Sequence, residues 1–157
     1  MKETTHYLFS IGLSFCVLSM LHSLDMGSLI MAVWLCFSVN SIIDLLGHVS
    51  RKGVPTRSWF THSVFTAPIW GGLIGVFTLE AISKTLGLTP AVAVIGLWTV
   101  TGAIIAYGHL LLDSMTGAGV YFTRRRIALA HFSYDNGLLN LGFILVGLCL
   151  AALSLRV

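Results

Sequence analysis

Charge is scarce in this sequence: nine Lys or Arg and six Asp or Glu among 157 residues make 10% of the chain, against roughly 25% in soluble domains. With 56% hydrophobic residues and a mean hydropathy of +0.91, that shortage excludes an ordinary soluble globular protein and predicts an integral membrane protein. The length suits one domain spanning residues 1–157 and leaves no room for a large separate soluble one. Cysteine is scarce too. Cys16, Cys36 and Cys149 fall inside apolar segments without C-x-x-C spacing, which excludes a disulfide framework and a thiolate metal site and leaves packing as their role. No nucleic-acid-binding motif accompanies the net charge of +3 and pI near 9.0, so no nucleic acid partner is expected. No small-residue cleavage signature follows the first apolar segment, whose flank carries Lys2 and Glu3; a retained anchor is expected there.

What is abundant is apolar sequence in lengths near the roughly 20 residues needed to cross about 30 Å of hydrocarbon. Five spans are expected, over Tyr7–Leu24, Ser28–Gly47, Val64–Ser83, Ala91–Asp113 and Leu138–Leu155. In lipid each segment must satisfy its own backbone groups, so the spans read as helices and the fold class as an all-α bundle. Five crossings put the N-terminus, the loop near 48–63 and the loop near 114–137 on one side. That side holds Lys2, Arg51, Lys52, Arg57, Arg124, Arg125 and Arg126, seven of the nine basic residues. The positive-inside tendency then predicts a cytoplasmic N-terminus. Small residues at Gly71, Gly72 and Gly75, and at Gly102 with Ala106, are expected to bring helices close together.

Two polar clusters interrupt this apolar background, and ionisable groups in or near hydrocarbon are costly enough to call for a reason. In the first, Asn40, Asp44 and His48 recur every four residues and therefore share one helix face. Such a stack can offer a carboxylate and an imidazole to one cation; it can equally form an interhelical hydrogen-bond ladder. Arg57 and Thr61-His62-Ser63 follow, expected to open the third helix. There a hydroxyl could cap free N–H groups, or the helix start and Arg57 could hold an anion. In the second cluster His109 and Asp113 lie one turn apart, followed by Ser114 and Thr116. His48, His62, His109 and His131 gather on the basic side, whereas His6, His22 and Asp25 read as interfacial. Asp135-Asn136-Gly137 reads as a turn and helix cap, with Asp135 a further candidate ligand and His131 a distant counterpart of His62 in a loose internal repeat. Mixed imidazole and carboxylate ligation suits zinc, with manganese or iron as alternatives, better than calcium.

The order Asn-x-x-x-Asp-x-x-x-His, then Arg before Thr-His-Ser, then Gly-His-Leu-Leu-Leu-Asp-Ser-x-Thr-x-x-Gly resembles the YdjM-like membrane-bound metal-dependent hydrolases, or an archaeal branch of them of unknown function. The likeness is carried by Asp44, His48, Arg57, Thr61, His62, Ser63, His109, Asp113, Thr116 and Gly119. It implies a small multi-span membrane hydrolase that uses a metal ion. The first helix departs from that pattern in having no Pro-Asp-Ile-Asp-type motif, which argues against a second ion.

The expected chemistry follows from a cation beside basic residues at a lipid surface. Asp44, His48, His62, His109 and Asp113 are the expected ligands, with Asn40, His131 and Asp135 as further ligands or polar support. Arg57, Ser63 and Thr116 are the candidate catalytic groups, and Arg124 and Arg125 would attract the lipid headgroup. The expected reaction is hydrolysis of a lipid phosphoester, with membrane lipids as partners and room for oligomerisation. No Ser-His-Asp triad is indicated, since Ser63 beside His62 is adjacency and not a positioned hydrogen bond. The competing class is a membrane protein with a structural metal or an ion-transport role. A transport path would place ionisable groups at mid-membrane or on both faces, and only Glu80 offers such a counterpart.

Overall fold

Every expected apolar stretch forms a helix, shifted by a few residues at its ends. The computed structural model describes residues 1–51 and 54–156. Lys52 lies outside the described residues, as does the side chain of Arg51. The helices are α1 (Glu3–Met20), α2 (Met26–Gly47), α3 (Ala67–Leu86), α4 (Val92–Ser114) and α5 (Gly137–Ser154). Asp25 caps α2 by accepting from the Ser28 N–H at 2.9 Å, and that bond, with one from the Ser28 hydroxyl, holds its carboxyl below the usual carboxylate range. Asn136 caps α5 through the Leu139 N–H at 2.9 Å, as the Asp-Asn-Gly step predicts.

Four of the five, α2 to α5, are long and apolar enough to cross a membrane. The exception is α1. Its first turns carry Glu3, Thr4, Thr5, His6 and Tyr7, and its buried face includes Thr5, His6, Ser10 and Ser14. That face is polar because it packs on the polar end of the bundle rather than on lipid-like surface.

The chain is not wholly helical. Two antiparallel hairpins, β1 (His48–Arg51) with β2 (Val54–Arg57) and β3 (Val120–Phe122) with β4 (Arg125–Ile127), follow α2 and α4. They correct the all-α expectation. The segments beyond the helix ends carry polar and β-branched residues, and pairing lets them satisfy backbone groups without extending the bundle. β3 also fixes the loop before α3, since Tyr121 N–H donates to the His62 carbonyl at 2.8 Å and Val64 N–H to the Tyr121 carbonyl at 2.9 Å. The helix axes alternate, so α1, α3 and α5 start where α2 and α4 end. Thr5 and the Lys2 N–H, at the start of α1, bond Asn140 at the start of α5 at 2.6 and 3.1 Å.

Leu18, Leu35, Val39, Ile43, Ala67, Ile105 and Ala106 fill the core. The seam between α3 and α4 is tight. A Cβ on either Gly71 or Gly102 would collide with the other's carbonyl, and one on Gly75 with the Trp98 carbonyl. Small residues there allow backbone contact, as expected. Large apolar side chains such as Trp34, Phe77, Val92 and Leu138 face outwards.

Candidate metal centre

Four ligand-type side chains from three elements converge at the end of the bundle where α2 and α4 finish. Asp44 comes from the last turn of α2 and His109 and Asp113 from the last two turns of α4. His62 comes from the irregular segment before α3. Each offers one atom, and these atoms all lie within 4.8 Å of one another. His62 Nε2 is 3.4 Å from both Asp44 Oδ1 and Asp113 Oδ2, and His109 Nε2 is 3.5 Å and 3.3 Å from the same two atoms.

These separations are informative. A direct hydrogen bond from a ring N–H to a carboxylate closes to about 2.7–2.9 Å. Here His62 Nε2, His109 Nε2 and Asp113 Oδ2 are buried and make no hydrogen bond. For the four His–Asp pairs, separations of 3.3–3.5 Å fall instead in the range, about 3.3–3.6 Å, between two ligands that each lie about 2.0–2.2 Å from one tetrahedral cation. The group formed by Asp44, His62, His109 and Asp113 could therefore hold a metal ion.

The surrounding residues aim these atoms. His109 Nδ1–H donates to Asn40 Oδ1 at 2.9 Å, while Asn40 Nδ2 donates to the Cys36 carbonyl at 2.7 Å and to Ser10 Oγ at 3.1 Å. Because a carbonyl only accepts, the Asn40 amide is fixed with its oxygen towards His109, and the lone pair of His109 falls on Nε2. His62 Nδ1 pairs with Thr61 Oγ1 at 3.0 Å. Gly47 makes this packing feasible, since a Cβ there would overlap Thr61 Oγ1 and the His62 ring.

Asp113 divides its two oxygens. Oδ1 accepts from Arg57 Nη2 at 2.6 Å and has the Met1 amino group at 3.3 Å and His6 Nε2 at 3.2 Å. Oδ2 is left facing the two imidazoles. Arg57 also donates through Nη1 to Thr116 Oγ1 at 3.3 Å and to the Gly119 carbonyl at 3.1 Å.

Several expected site residues have other places. His48 is at the rim: Nδ1 donates to the Asp44 carbonyl at 2.8 Å and lies 3.7 Å from Asp44 Oδ1, and its ring is half exposed. It is not among the converging four. Ser63 Oγ accepts from the Phe65 N–H at 3.3 Å, a turn-forming role. Thr116 Oγ1 donates to the Asp113 carbonyl at 2.8 Å, so it braces the pair of Asp113 and Arg57. The expected start of the third helix at Val64 moves to Ala67, which leaves Thr61-His62-Ser63 in a turn and caps no helix with their hydroxyls. The shift follows from Pro68, which favours the first helical positions.

His131 is exposed beyond β4, away from the cluster, and Asp135 is exposed and accepts from the Ser133 hydroxyl, which holds its carboxyl below the usual range. Arg124 and Arg125 are exposed on the β3–β4 hairpin. It is Arg126 that lines a cavity of about 910 Å³, together with His48, Arg57 and Thr116. Asn40 lies behind His109, bonded to its Nδ1, and is not among the converging four.

One residue was placed wrongly by sequence reasoning. His6, read as interfacial, is buried against the cluster and stacks on the His109 ring with centroids 4.1 Å apart. The signal was available in His6, Ser10 and Ser14, a polar stripe at four-residue spacing in an apolar helix, which marks an inward face.

Comparison with known families gives one match, over residues 1–112, to a family described as a protein of unknown function, DUF1286. The chain belongs to this family. The DUF1286 match takes in Asn40, Asp44, Arg57, His62 and His109 and ends one residue before Asp113. No curated protein and no solved structure matches the chain. The DUF1286 description carries no activity, so the chemistry of this end of the bundle must be argued from the side chains themselves.

Proposed function

We propose that this chain is a multi-pass protein of the cell membrane that binds one divalent cation, zinc by preference and manganese or iron otherwise, and hydrolyses a lipid phosphoester at the cytoplasmic surface. The observation that carries the reading is the set of three buried, unbonded atoms, His62 Nε2, His109 Nε2 and Asp113 Oδ2, grouped with Asp44 Oδ1 so that each imidazole nitrogen lies 3.3–3.5 Å from both carboxylates. The four long apolar helices and their outward Trp, Phe and Leu side chains support a membrane setting. The basic residues near the cluster support a cytoplasmic orientation.

A bound divalent cation would supply Lewis acidity, polarising a phosphoryl oxygen and lowering the pKa of water towards about 7. The protein's own residues would do the rest. Asp44, whose side chain is 30% exposed while the other three ligands are buried, is the carboxylate with access to an incoming water and suits a proton acceptor. Arg57 is committed to Asp113 and positions it, which leaves Arg126 and His48, on the adjoining cavity, to meet an anion. The YdjM-like resemblance of the sequence points to the same reaction class.

A second reading has its own observation. Four protein ligands complete a tetrahedral shell, the usual pattern of structural zinc, whereas catalytic sites keep one position open. Metal analysis of purified protein separates the options when combined with phosphate release from mixed lipid phosphates. The hydrolase reading expects about one ion per chain, lost in Asp44→Ala and His109→Ala, and turnover that a chelator abolishes. Metal without turnover would establish the structural reading. A wild type that takes up no divalent ion would end both.

A further inference from the structure

Building on the reading of the cluster as a membrane-surface metal site, we infer that it takes a phosphomonoester lipid whose acyl chain lies in a groove along α5. Two cavities meet at Phe132. The first, about 910 Å³, is bounded by His48, Arg57, Thr116 and Arg126, of which Arg57 and Thr116 touch Asp113 and His48 touches Asp44. None of the four converging residues lines it; it lies beside the cluster, separated from it by Arg57, Thr116 and His48, and it carries cationic groups. The second, about 500 Å³, runs from the same Phe132 along Leu138, Leu139, Gly142, Phe143 and Val146 of α5.

The two differ in chemistry as the two ends of a lipid do. The inner cavity presents cations and hydroxyls and suits a phosphate with two negative charges. The outer groove is lined by apolar side chains apart from Asn136 at its mouth, and it extends about 12 Å along the helix at about 1.5 Å per residue. Of the residues of α5, only Asn140, Gly147 and Ser154 are buried, so its outer face is bare. Gly142 contributes open space, since a Cβ there would meet nothing. A lipid approaching sideways within its leaflet would slide its chain past Gly142 while its headgroup reached Arg126 and the cavity beside the cluster.

In a bilayer the chain gains little by leaving one apolar surface for another. The cations therefore supply the affinity, and the groove supplies steric permission. This distinction makes the inference testable by occlusion. Metal-loaded protein in detergent micelles is examined by native mass spectrometry with dioleoyl phosphatidate, dioleoyl phosphatidylcholine and inorganic phosphate. Phosphatidate is expected to bind about tenfold more tightly than phosphatidylcholine, and to resist displacement by an equal concentration of inorganic phosphate. Gly142→Trp and Val146→Trp, each placing an indole in the groove, are expected to weaken phosphatidate binding about tenfold with unchanged metal content and unfolding temperature. The exposed Arg126→Ala should erase the preference over phosphatidylcholine.

Unchanged phosphatidate binding in either folded indole variant would overturn the groove. So would equal binding of the two lipids, a preference that survives Arg126→Ala, or displacement by inorganic phosphate at equal concentration. Because the readout is binding, the hydrolase reading fails separately: phosphatidate held in the groove without phosphate release would defeat the hydrolase and leave the groove.

Discussion

Replacing Asn40 by Leu isolates the step from sequence to metal binding, because it removes no proposed ligand and nearly preserves volume. Asn40 sits on the same face of α2 as Asp44, one turn earlier, and is 1% exposed. Its amide donates to Cys36 O at 2.7 Å and to Ser10 Oγ at 3.1 Å, which turns its oxygen to His109 Nδ1 at 2.9 Å. With Leu at this position the Nδ1–H has no acceptor, and the ring is freed to carry its proton on Nε2, the atom that faces the cation position.

Loss of such an outer partner typically costs 10–100-fold in metal affinity, about 1.4–2.7 kcal/mol. Competition against a chromophoric chelator, with purified protein in detergent, measures it directly. The same substitution leaves Ser10 and the Cys36 carbonyl short of a partner, at about 1–3 kcal/mol of stability, so the unfolding temperature must be followed in parallel. Ser10→Ala removes one of the two bonds that orient the amide and should cost only a few-fold in affinity. A folded Asn40→Leu protein whose metal affinity stays within about twofold of wild type would refute the idea that Asn40 sets the His109 tautomer.

Arg57→Met should destabilise the protein by about 3–5 kcal/mol, since it strips the 2.6 Å partner from a carboxylate with no solvent access; thermal unfolding in detergent checks this, and a loss below about 1 kcal/mol would contradict it. Gly47→Ala should lower metal affinity more than tenfold by driving Thr61 and the His62 ring aside, read by the same chelator competition. Removing the metal should lower the unfolding temperature, and zinc restored at about 1,000 times its Kd should return about 4 kcal/mol. An unfolding curve indifferent to chelator and to added zinc would argue against the site.

The helices were legible because an apolar run in this composition has few alternatives, and Asp44, His62, His109 and Asp113 were all identifiable from spacing and residue type. His48 stands outside the converging four because a helical stack of Asp44 and His48 assumes the helix continues, whereas α2 ends at Gly47 and His48 turns into β1. The hairpins escaped notice because strands of three or four residues within polar loops carry little periodicity. Their effect is large all the same. β2 delivers Arg57 to Asp113, and β3 pins the His62 backbone through Tyr121, two long-range placements that no local pattern encodes. Which of the three consecutive arginines lines the cavity depends on hairpin register, where Arg126 pairs with Tyr121.

Counting donors and acceptors narrows what can fill the centre of the cluster. With its proton on Nδ1, His109 presents a lone pair at Nε2, and His62 does the same when its Nδ1 donates to Thr61. The two carboxylates add Asp44 Oδ1 and Asp113 Oδ2, so four acceptors face one point. A water molecule has two protons to give and would leave two acceptors unmet, each costing about 1–3 kcal/mol when buried. Protonating both imidazoles would supply donors, but the N···O separations of 3.3–3.5 Å are too long for charge-assisted bonds of about 2.7–2.9 Å. A single divalent cation meets all four at once. The position of Asn40, one turn before Asp44 on the same helix face and across from His109, thus ties the proton on one ring nitrogen to the electron pair on the other, and through it to the capacity of the cluster to hold a metal.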